Sequence, residues 1–318
     1  MVSSGNAILD LYSAYISTIP IVNVVLFFIG TMLLVKMIFK KQSMYTEGFE
    51  QEEKFILKEN DELYDSFYCD VYNVLMNDEY KNMFELAKII RSSKINKSSN
   101  VLDIGSGLGE HLRIMKVGAI PSIGIDNSKA MIAKCEELNP DVVVKYANAM
   151  DGMVFETNQF SHILCLFYTF YYMPGQEAFL RNCNKWLNRS GYVAIHIVDA
   201  DKFHPIIKQS EVFVIPTQTF AKPGVRITES VVKFDGFDYN AKYIDKNRVE
   251  HDGEVEFEEI FTNRMTKQIR KNSHKMTILD ISAYEEMFKR VGFEIHEIID
   301  LKKARYFYQY VYILKKIN

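Results

Sequence analysis

The sequence predicts an α/β protein built on a parallel sheet with helices on both faces, and three observations support this fold class. Val101–Ile104 is a short apolar run that leads directly into a glycine-rich turn, as expected of a buried parallel strand. A helix-compatible pattern resumes at His111, and a second short run, Ile123–Asp126, ends in a carboxylate. Further apolar runs at Val142–Tyr146 and Gln159–Leu166 continue the alternation of strands and helices.

The glycine-rich turn is the first candidate binding site. Gly105, Gly107 and Gly109 remove every second Cβ, so backbone N–H groups can approach a ligand at a helix N-terminus. Asp126 follows about 20 residues later, where nucleotide-binding sheets hold ribose hydroxyls. The third glycine of a dinucleotide fingerprint would fall on Glu110, which disfavours an NAD-dependent oxidoreductase without excluding it.

The two motifs together resemble those of a known family. VLDIGSGLGEH at 101–111 resembles motif I of the class I S-adenosylmethionine-dependent methyltransferases, and GIDNS at 124–128 resembles their motif II. The resemblance extends more loosely over residues 60–200 and 276–316. It implies a seven-stranded Rossmann-like sheet, an antiparallel β insertion after the fifth strand, methyl transfer as the activity and S-adenosylmethionine as the cofactor.

The resemblance also implies a set of cofactor-binding residues. Asp103 and the glycines would hold the methionine portion, Asp126 the ribose and Asn148 the adenine. The full set is Asp103, Gly105, Ser106, Gly107, Gly109, Asp126, Asn127, Asn148, Ala149, Cys165 and Leu166. The chain departs from the family where Asn148 replaces the usual Asp, because an amide oxygen accepts the adenine hydrogen bond without charge assistance. Ser161 and Ser190 also stand where the family usually has Asp and Gly.

No catalytic residue is assigned from the sequence. Transfer from a sulfonium requires alignment, exclusion of water and sometimes removal of one proton, so neither a metal nor a covalent nucleophile is expected. The weak candidates for a base or a contact to the acceptor are Tyr168, His196 and His274. The preferred interpretation of His196 is a buried core histidine, whereas Tyr168, Tyr171 and Tyr172 are interpreted equally well as core packing or as an aromatic cage. The alternating acidic run at 254–259 is interpreted as a solvated strand face.

The N-terminal region predicts a membrane anchor. Ile19–Phe39 is apolar apart from Asn23, Thr31 and Lys36, and about 20 helical residues cross a bilayer core. Lysines 36, 40 and 41 lie on its C-terminal side, which favours a single-pass protein with its catalytic part in the cytoplasm. A cleaved signal peptide is disfavoured because no basic residue precedes the apolar run. The alternative is an apolar helix that packs on the protein itself.

These patterns predict five segments. Residues 1–42 form the tail and transmembrane helix, 43–99 a linker and lid helices, the first of them from Lys54 to Met76, and 100–200 the cofactor-binding core. Residues 201–275 form a β-rich cap over the substrate, with antiparallel strands at 212–215, 225–234, 238–244 and 254–261. Residues 276–318 form a helix and hairpin that complete the sheet. Tyr64, Tyr68 and Tyr72 share one face of the lid, where they contact either the cofactor or the sheet.

Composition limits the function classes. Lys and Arg number 38 against 41 Asp and Glu, so no basic field indicates nucleic acid. The four cysteines lack a C-x-x-C pair, which disfavours zinc sites and disulfides. The sequence therefore predicts a methyltransferase acting on a small-molecule or lipid-linked acceptor. The competing hypothesis is a non-catalytic, membrane-tethered adaptor that retains the fold.

Overall fold

The computed structural model of the chain describes residues 29–32, 52–205, 228–233, 236–245, 248, 250 and 252–317. The chain divides into two compact units, residues 1–50 and residues 51–318. In the first unit, residues 29–32 are helical. The elements below all belong to the second unit.

The elements of the second unit are numbered in chain order. The described strands are β1 (Phe55–Glu59), β2 (Val101–Ile104), β3 (Ser122–Asp126), β4 (Val144–Tyr146), β5 (Phe160–Cys165), β6 (Leu187–Val198), β7 (Glu229–Lys233), β8 (Phe237–Ile244), β9 (Glu254–Asn263), β10 (Ile269–Thr277), β11 (Phe293–Asp300) and β12 (Gln309–Lys316). The described helices are α1 (Ser66–Met76), α2 (Glu79–Ser93), α3 (Glu110–Val117), α4 (Lys129–Leu138), α5 (Gln176–Trp186) and α6 (Ile281–Val291).

A seven-stranded sheet carries the predicted core. Its strand order is β11-β12-β6-β5-β2-β3-β4. Strands β2 to β6 are parallel, whereas β12 pairs antiparallel with both β6 and β11. The parallel sheet and its final antiparallel hairpin confirm the predicted fold class. Because β2 lies at the centre of the five parallel strands, with β3 and β5 on either side, the turns that follow these strands meet at one edge of the sheet.

Side-chain caps fix where the helices that flank the site begin. The carboxylate of Asp65 accepts from the N–H of Tyr68 at 3.1 Å, and Asp78 does the same for α2. The hydroxyl of Ser128 accepts from the N–H of Met131 at 3.0 Å, directly after β3. Each cap satisfies a backbone donor that the first helical turn leaves unpaired. Helix α4 therefore begins immediately beside Asp126.

Strands β7 to β10 follow the fifth strand of the core, as predicted, and form a second, five-stranded sheet together with β1. Its order is β1-β10-β9-β8-β7, antiparallel except for the parallel pair β1–β10. The predicted strands at 238–244 and 254–261 are confirmed, and the one at 225–234 is a strand over 229–233. The predicted strand at 212–215 lies outside the described residues. Strand β10 was not predicted, because its sequence is mostly polar.

The start of the lid differs from the prediction. Residues from Lys54 onward are predicted as helix, yet Phe55–Glu59 forms a strand. Phe55 pairs with Ile269 and Glu59 with Ser273, so the segment extends the second sheet at the β10 edge. This pairing overrides the local helical pattern because a strand beside an unpaired edge satisfies its backbone groups there.

The predicted membrane localisation is corrected. Among the residues that the structure describes, no helix is long and apolar enough to cross a membrane. The longest described α-helix, α2, has 15 residues, fewer than the roughly 20 that a bilayer core requires. The segment predicted to span the membrane, 19–39, lies outside the described residues apart from 29–32.

Candidate active site

The glycine loop between β2 and α3 requires glycine for two different reasons. Gly105, Gly107 and Gly109 all have positive φ, at 68°, 52° and 81°. A Cβ on Gly105 would lie 2.4 Å from Thr169, and one on Gly109 would lie 2.4 Å from the Cys135 sulfur. Two of the three positions therefore combine left-handed backbone with close approach of another element. The loop is held in a single conformation against its neighbours.

Asp126 anchors this loop from the end of the neighbouring strand. Its carboxylate accepts from the N–H of Gly107 at 2.9 Å and from the N–H of Ser128 at 2.8 Å. Burial raises the pKa of Asp126, although these backbone hydrogen bonds lower it in part. Asp126 also lines the main cavity. One side chain thus shapes the loop and faces the ligand space at the same time.

Asp103 lies at the end of β2 beside a smaller cavity of about 80 Å³. Its Oδ2 and the hydroxyl of Ser106 are buried and have no hydrogen-bond partner among the described residues. Burial raises the pKa of Asp103 to about 6, although His111, with Nδ1 at 4.0 Å, opposes the rise. Because an unpaired buried carboxylate is costly, these atoms fit a ligand that brings a positively charged hydrogen-bond donor.

A buried ion pair lies against the same small cavity. The ammonium of Lys81 contacts the carboxylate of Glu85 at 2.7 Å, and His111 reaches the same oxygen at 2.9 Å. Burial alone would raise the pKa of Glu85, but Lys81 and His111 lower it to about 2. Glu85 is therefore ionised, and Lys81 and Glu85 hold one positive and one negative charge beside Asp103. Sequence analysis missed Lys81 and Glu85, whose i, i+4 spacing resembles an ordinary surface pair.

The residues predicted to bind adenine, Asn148 and Ala149, line the main cavity, and so does Asn127. The amide oxygen of Asn148 accepts from the N–H of Met150 at 2.9 Å, so a ligand would share that oxygen with the backbone. The amide nitrogen of Asn127 donates to Asp61 at 3.0 Å. The two residues predicted at the end of β5 separate: Leu166 lines the small cavity, whereas Cys165 lies fully buried in the core.

The main cavity measures about 390 Å³ and extends from the glycine loop into an aromatic chamber. The three lid tyrosines line it together, and Tyr64 lies 5.5 Å from Tyr68 and 6.3 Å from Tyr72 between ring centroids. The cavity therefore has a polar end at the loop and a tyrosine-rich end under the second sheet. We name the latter the tyrosine chamber; its walls are Tyr64, Tyr68, Tyr72, Tyr172, Phe257 and His274.

The structure separates the three candidate catalytic residues. Tyr168 and His274 line the main cavity. His196 is fully buried among β6 and its neighbours, where its ring nitrogens contact the Phe167 carbonyl and the Gln309 amide oxygen at 2.6 and 3.1 Å. Burial lowers the pKa of His196 to about 4. The geometry therefore matches the interpretation of His196 as a core histidine.

Glu259 is the functional candidate that sequence analysis placed on the wrong face. Within the acidic run, Glu259 is fully buried on the face of β9 that carries Val255 and Phe257. Its Oε2 lies 2.7 Å from Nε2 of His274. The signal was present in the sequence, because Glu259 occupies the same alternation as those two apolar residues. A carboxylate at an apolar position indicates a buried partner.

Comparisons with known proteins agree with this geometry. Residues 101–191 match the family described as a methyltransferase domain. No curated protein matches the sequence.

Solved structures share the fold over most of the chain. An S-adenosylmethionine-dependent methyltransferase from Clostridium acetobutylicum aligns with a TM-score of 0.59 at 13% identity, covering 79% of this chain and 98% of that one. The sugar N-methyltransferase KedS8 from Streptoalloteichus aligns at 0.56 and 16% identity, covering 79% and 93%. CalS10, an amino pentose methyltransferase from Micromonospora echinaspora solved with S-adenosylmethionine, aligns at 0.54 and 16%, covering 80% and 98%.

Residues 101–191 therefore match a methyltransferase domain, and the chain shares the fold of solved methyltransferases whose cofactor is S-adenosylmethionine. The described residues fit that cofactor. The orphaned oxygens of Asp103 and Ser106 would receive a charged amino group, and the cradle at Gly105 has no room for a Cβ. The carboxylate of Asp126 also fits this cofactor, because it faces the cavity and follows the loop by about 20 residues.

Proposed function

We propose that this protein transfers a methyl group from S-adenosylmethionine to the amino or hydroxyl group of a small polar molecule bound in the tyrosine chamber. The observation that carries the proposal is the continuity of one cavity of about 390 Å³ from the glycine loop to that chamber. A cavity of this size suits a small ligand rather than a protein segment. Enclosure of the two ligands in one space is the arrangement that a direct transfer requires.

The residues of the loop are proposed to hold the donor. Asp103 and Ser106 would receive its amino group, Asp126 its ribose, and Asn148 with Ala149 its adenine. When bound, S-adenosylmethionine supplies an electrophilic methyl carbon whose reactivity rests on the positive sulfur. The protein contributes by aligning the acceptor with that carbon and by excluding water from the chamber. The aromatic walls suit both tasks because they are apolar, rigid and able to face a cationic amine.

The nature of the acceptor is proposed from the chamber and from the structural neighbours. One of these neighbours is named as an amino pentose methyltransferase and another as a sugar N-methyltransferase. Asn60 and Asp61 also line the cavity and provide polar groups for hydroxyl recognition. We therefore expect an amino sugar or a similar polyhydroxylated amine to be accepted more readily than an apolar or lipid-linked molecule.

The proposal is tested by following S-adenosylhomocysteine formation from S-adenosylmethionine by mass spectrometry. The panel contains amino sugars, the corresponding sugars without nitrogen, simple amines, phenols and a lipid-linked amine. The expected result is product with the amino sugars and mass gain of one methyl group on the acceptor. Binding of S-adenosylmethionine without turnover on any acceptor would contradict methyl transfer and favour the adaptor hypothesis.

A matched pair of variants shows whether turnover depends on the proposed site. Asp126→Ala removes the carboxylate that faces the cavity, and we expect it to abolish product formation. Asp151→Asn alters an exposed carboxylate that accepts from the N–H of Met153 outside the cavity, and we expect it to retain activity. Equal activities of the two variants would contradict the assignment of the donor site.

A further inference from the structure

A continuous line of hydrogen bonds leads from the tyrosine chamber into the second sheet. The hydroxyl of Tyr172 lies 2.7 Å from Nδ1 of His274, and Nε2 of the same ring lies 2.7 Å from the carboxylate of Glu259. Tyr172 and His274 line the cavity, whereas Glu259 is fully buried behind them. The three residues come from the turn after β5, from β10 and from β9. Their alignment depends on the contact between the two sheets.

We propose that Tyr172, His274 and Glu259 form a proton relay that removes the proton of the acceptor nucleophile during methyl transfer. The inference rests on the proposed function and deepens it, since it assigns the base and requires an acceptor that bears an N–H or O–H. Tyr172 and His274 are the catalytic residues of the relay, because they face the chamber. Glu259 acts through His274 and is a positioning residue.

The surroundings of Glu259 show that it is an ionised acceptor. It receives hydrogen bonds from the Tyr239 hydroxyl at 2.8 Å, from the Asn272 amide at 3.4 Å and from Tyr68. Burial alone would raise the pKa of Glu259, but the positive charge that His274 can carry and hydrogen bonds from His274, Tyr68 and Tyr239 lower it below its ordinary value. A buried carboxylate surrounded by donors on every side is held in its charged form.

An ionised carboxylate fixes the tautomer of the ring. Since Glu259 can only accept, the proton of a neutral His274 lies on Nε2, and Nδ1 presents a lone pair. That lone pair faces the Tyr172 hydroxyl, which donates to it. The Tyr64 hydroxyl in turn forms a hydrogen bond with Tyr172, so the tyrosine oxygen is polarised from both sides. The arrangement follows the logic of a carboxylate that orients an imidazole base.

The proposed step conserves atoms and charge. The lone pair of the acceptor atom forms a bond to the methyl carbon while the bond from that carbon to sulfur breaks, and the electron pair remains on sulfur. The proton of the acceptor passes to the oxygen of Tyr172, and the original hydroxyl proton of Tyr172 passes to Nδ1 of His274. The resulting imidazolium lies against the carboxylate of Glu259, which stabilises it. Water takes the proton when the products leave.

The titratable groups that face His274 are few among the described residues, and Glu259 is the charged one. Glu259 approaches from β9, Tyr172 from the turn after β5, and Tyr64 and Tyr68 from the lid, with ring centroids 6.3 and 5.8 Å away. The next charged groups on these elements have other partners. Arg270 pairs with Asp65 at 2.7 Å and Lys275 with Glu59 at 3.1 Å. A proton that reaches His274 is thus stabilised chiefly by Glu259.

The first test reads the tautomer directly and needs no acceptor. The full chain is labelled with ¹⁵N-histidine and saturated with S-adenosylhomocysteine, and its ring nitrogens are observed by NMR between pH 6 and 8. The signals of His274 are identified by their absence in His274→Asn. Asn is chosen because its amide can still donate to Glu259. We expect the neutral form of the ring to be protonated on Nε2, and a shift of Nδ1 in Tyr172→Phe. A neutral ring protonated on Nδ1 would overturn the relay, since that nitrogen could not accept the proton.

The second test uses the acceptor that the panel identifies. Tyr172→Phe, His274→Asn and Glu259→Gln are expected to lower kcat by about 10²- to 10⁴-fold, the range of a positioned acid–base group. The dissociation constant of S-adenosylmethionine should change by no more than about threefold. Tyr312→Phe is the matched control, because it removes a hydroxyl 3.1 Å from Glu285 outside the cavity. We expect its kcat to equal that of the wild type.

The outcomes separate the relay from the proposed function. Wild-type turnover with unchanged kcat in His274→Asn and Tyr172→Phe would overturn the relay and leave methyl transfer intact. Absence of wild-type turnover would contradict the proposed function, while the NMR result would still decide the tautomer. Removal of two relay members should cost no more than removal of one, because they act as a unit. Thermal unfolding and S-adenosylhomocysteine binding check the fold of each variant; if Glu259→Gln does not fold, the other two decide.

Discussion

The two halves of the cavity are built in opposite ways. At the cofactor half, the seven-stranded sheet presents backbone: three glycines with positive φ and N–H groups held by Asp126. At the tyrosine chamber, the five-stranded sheet presents side chains, with a buried carboxylate, a histidine and a cluster of aromatic rings. The first half is proposed to recognise its ligand through the shape of one short segment. The second half depends on residues far apart in the chain, such as Tyr172 and His274, which are separated by 102 positions.

The two halves of the cavity are therefore expected to tolerate different substitutions. A backbone site changes little when an exposed side chain is replaced, but it fails when a Cβ enters the wrong position. A side-chain site survives changes in backbone detail, but it fails when one partner of a buried pair is lost. The variants described next test these two sensitivities.

The largest effect is expected at the backbone half, from Gly109→Ala. Its new Cβ would lie 2.4 Å from the Cys135 sulfur in a residue with φ of 81°. We expect the free energy of unfolding to fall by about 3 kcal/mol, through strain and overpacking together. The measurement is urea denaturation followed by circular dichroism.

Gly107→Ala is the matched control, because its φ is also positive while nothing lies within 4 Å of its Cβ. It should lose only about 1 kcal/mol. Adding Cys135→Ala to Gly109→Ala should recover part of the loss, since it removes the sulfur. Equal losses at the two glycines would show that conformation alone, rather than close approach, decides the loop.

The second effect concerns the one side chain on which the backbone half relies. Asp126→Asn retains the size of the side chain but loses the charge that two backbone N–H groups contact. We expect the dissociation constant of S-adenosylhomocysteine to rise by about 10- to 100-fold, as charge-assisted hydrogen bonds become neutral ones. Calorimetric titration measures this change. An unchanged affinity would mean that the loop keeps its shape without Asp126.

The third expected effect is a pH dependence of S-adenosylmethionine affinity that arises from Asp103. Burial raises the pKa of Asp103 to about 6, so near pH 6 its carboxyl is about half protonated before ligand binds. A bound ammonium favours the charged carboxylate, and binding therefore releases a proton in this range. The affinity for S-adenosylmethionine should rise as the pH rises from about 5 to 7 and then level off.

Calorimetry in two buffers of different ionisation enthalpy measures that proton release. We expect it at pH 6 in the wild type, a smaller value at pH 8, and none in Asp103→Asn. For the protein without ligand the sign is opposite: a raised carboxyl pKa favours the folded state at low pH, and this contribution is lost as the pH rises through about 4 to 6. Proton uptake on binding would contradict the assignment of Asp103 to the amino group.

The smallest effect is expected at Asn148. Asn148→Asp introduces the carboxylate that related enzymes usually have at this position, and a charged oxygen accepts a hydrogen bond more strongly. Because the present oxygen already accepts from the N–H of Met150, we expect only a three- to tenfold gain in affinity for S-adenosylhomocysteine. Fluorescence or calorimetric titration is sensitive enough to detect it. A loss of affinity would indicate that the adenine lies elsewhere.

The sequence predicted the backbone half far better than the side-chain half. The glycine loop, Asp126 and the final hairpin follow local rules of spacing and periodicity, and the structure confirms the fold they predict. The partnership of Glu259 with His274 depends on the register of two antiparallel strands, and β10 has too polar a sequence to be recognised as a strand. The strand at Phe55–Glu59 was missed because its pairing partner is more than 200 residues away in the sequence.

Both halves of the cavity depend on one proposal, that the glycine loop binds S-adenosylmethionine beside the tyrosine chamber. Calorimetric titration of the full chain with S-adenosylhomocysteine and, separately, with NAD measures this binding. We predict binding of one S-adenosylhomocysteine per chain, no binding of NAD, and loss of the former in Asp126→Ala. Binding of NAD without binding of S-adenosylhomocysteine would overturn the proposal at Glu110, where the dinucleotide fingerprint would require glycine.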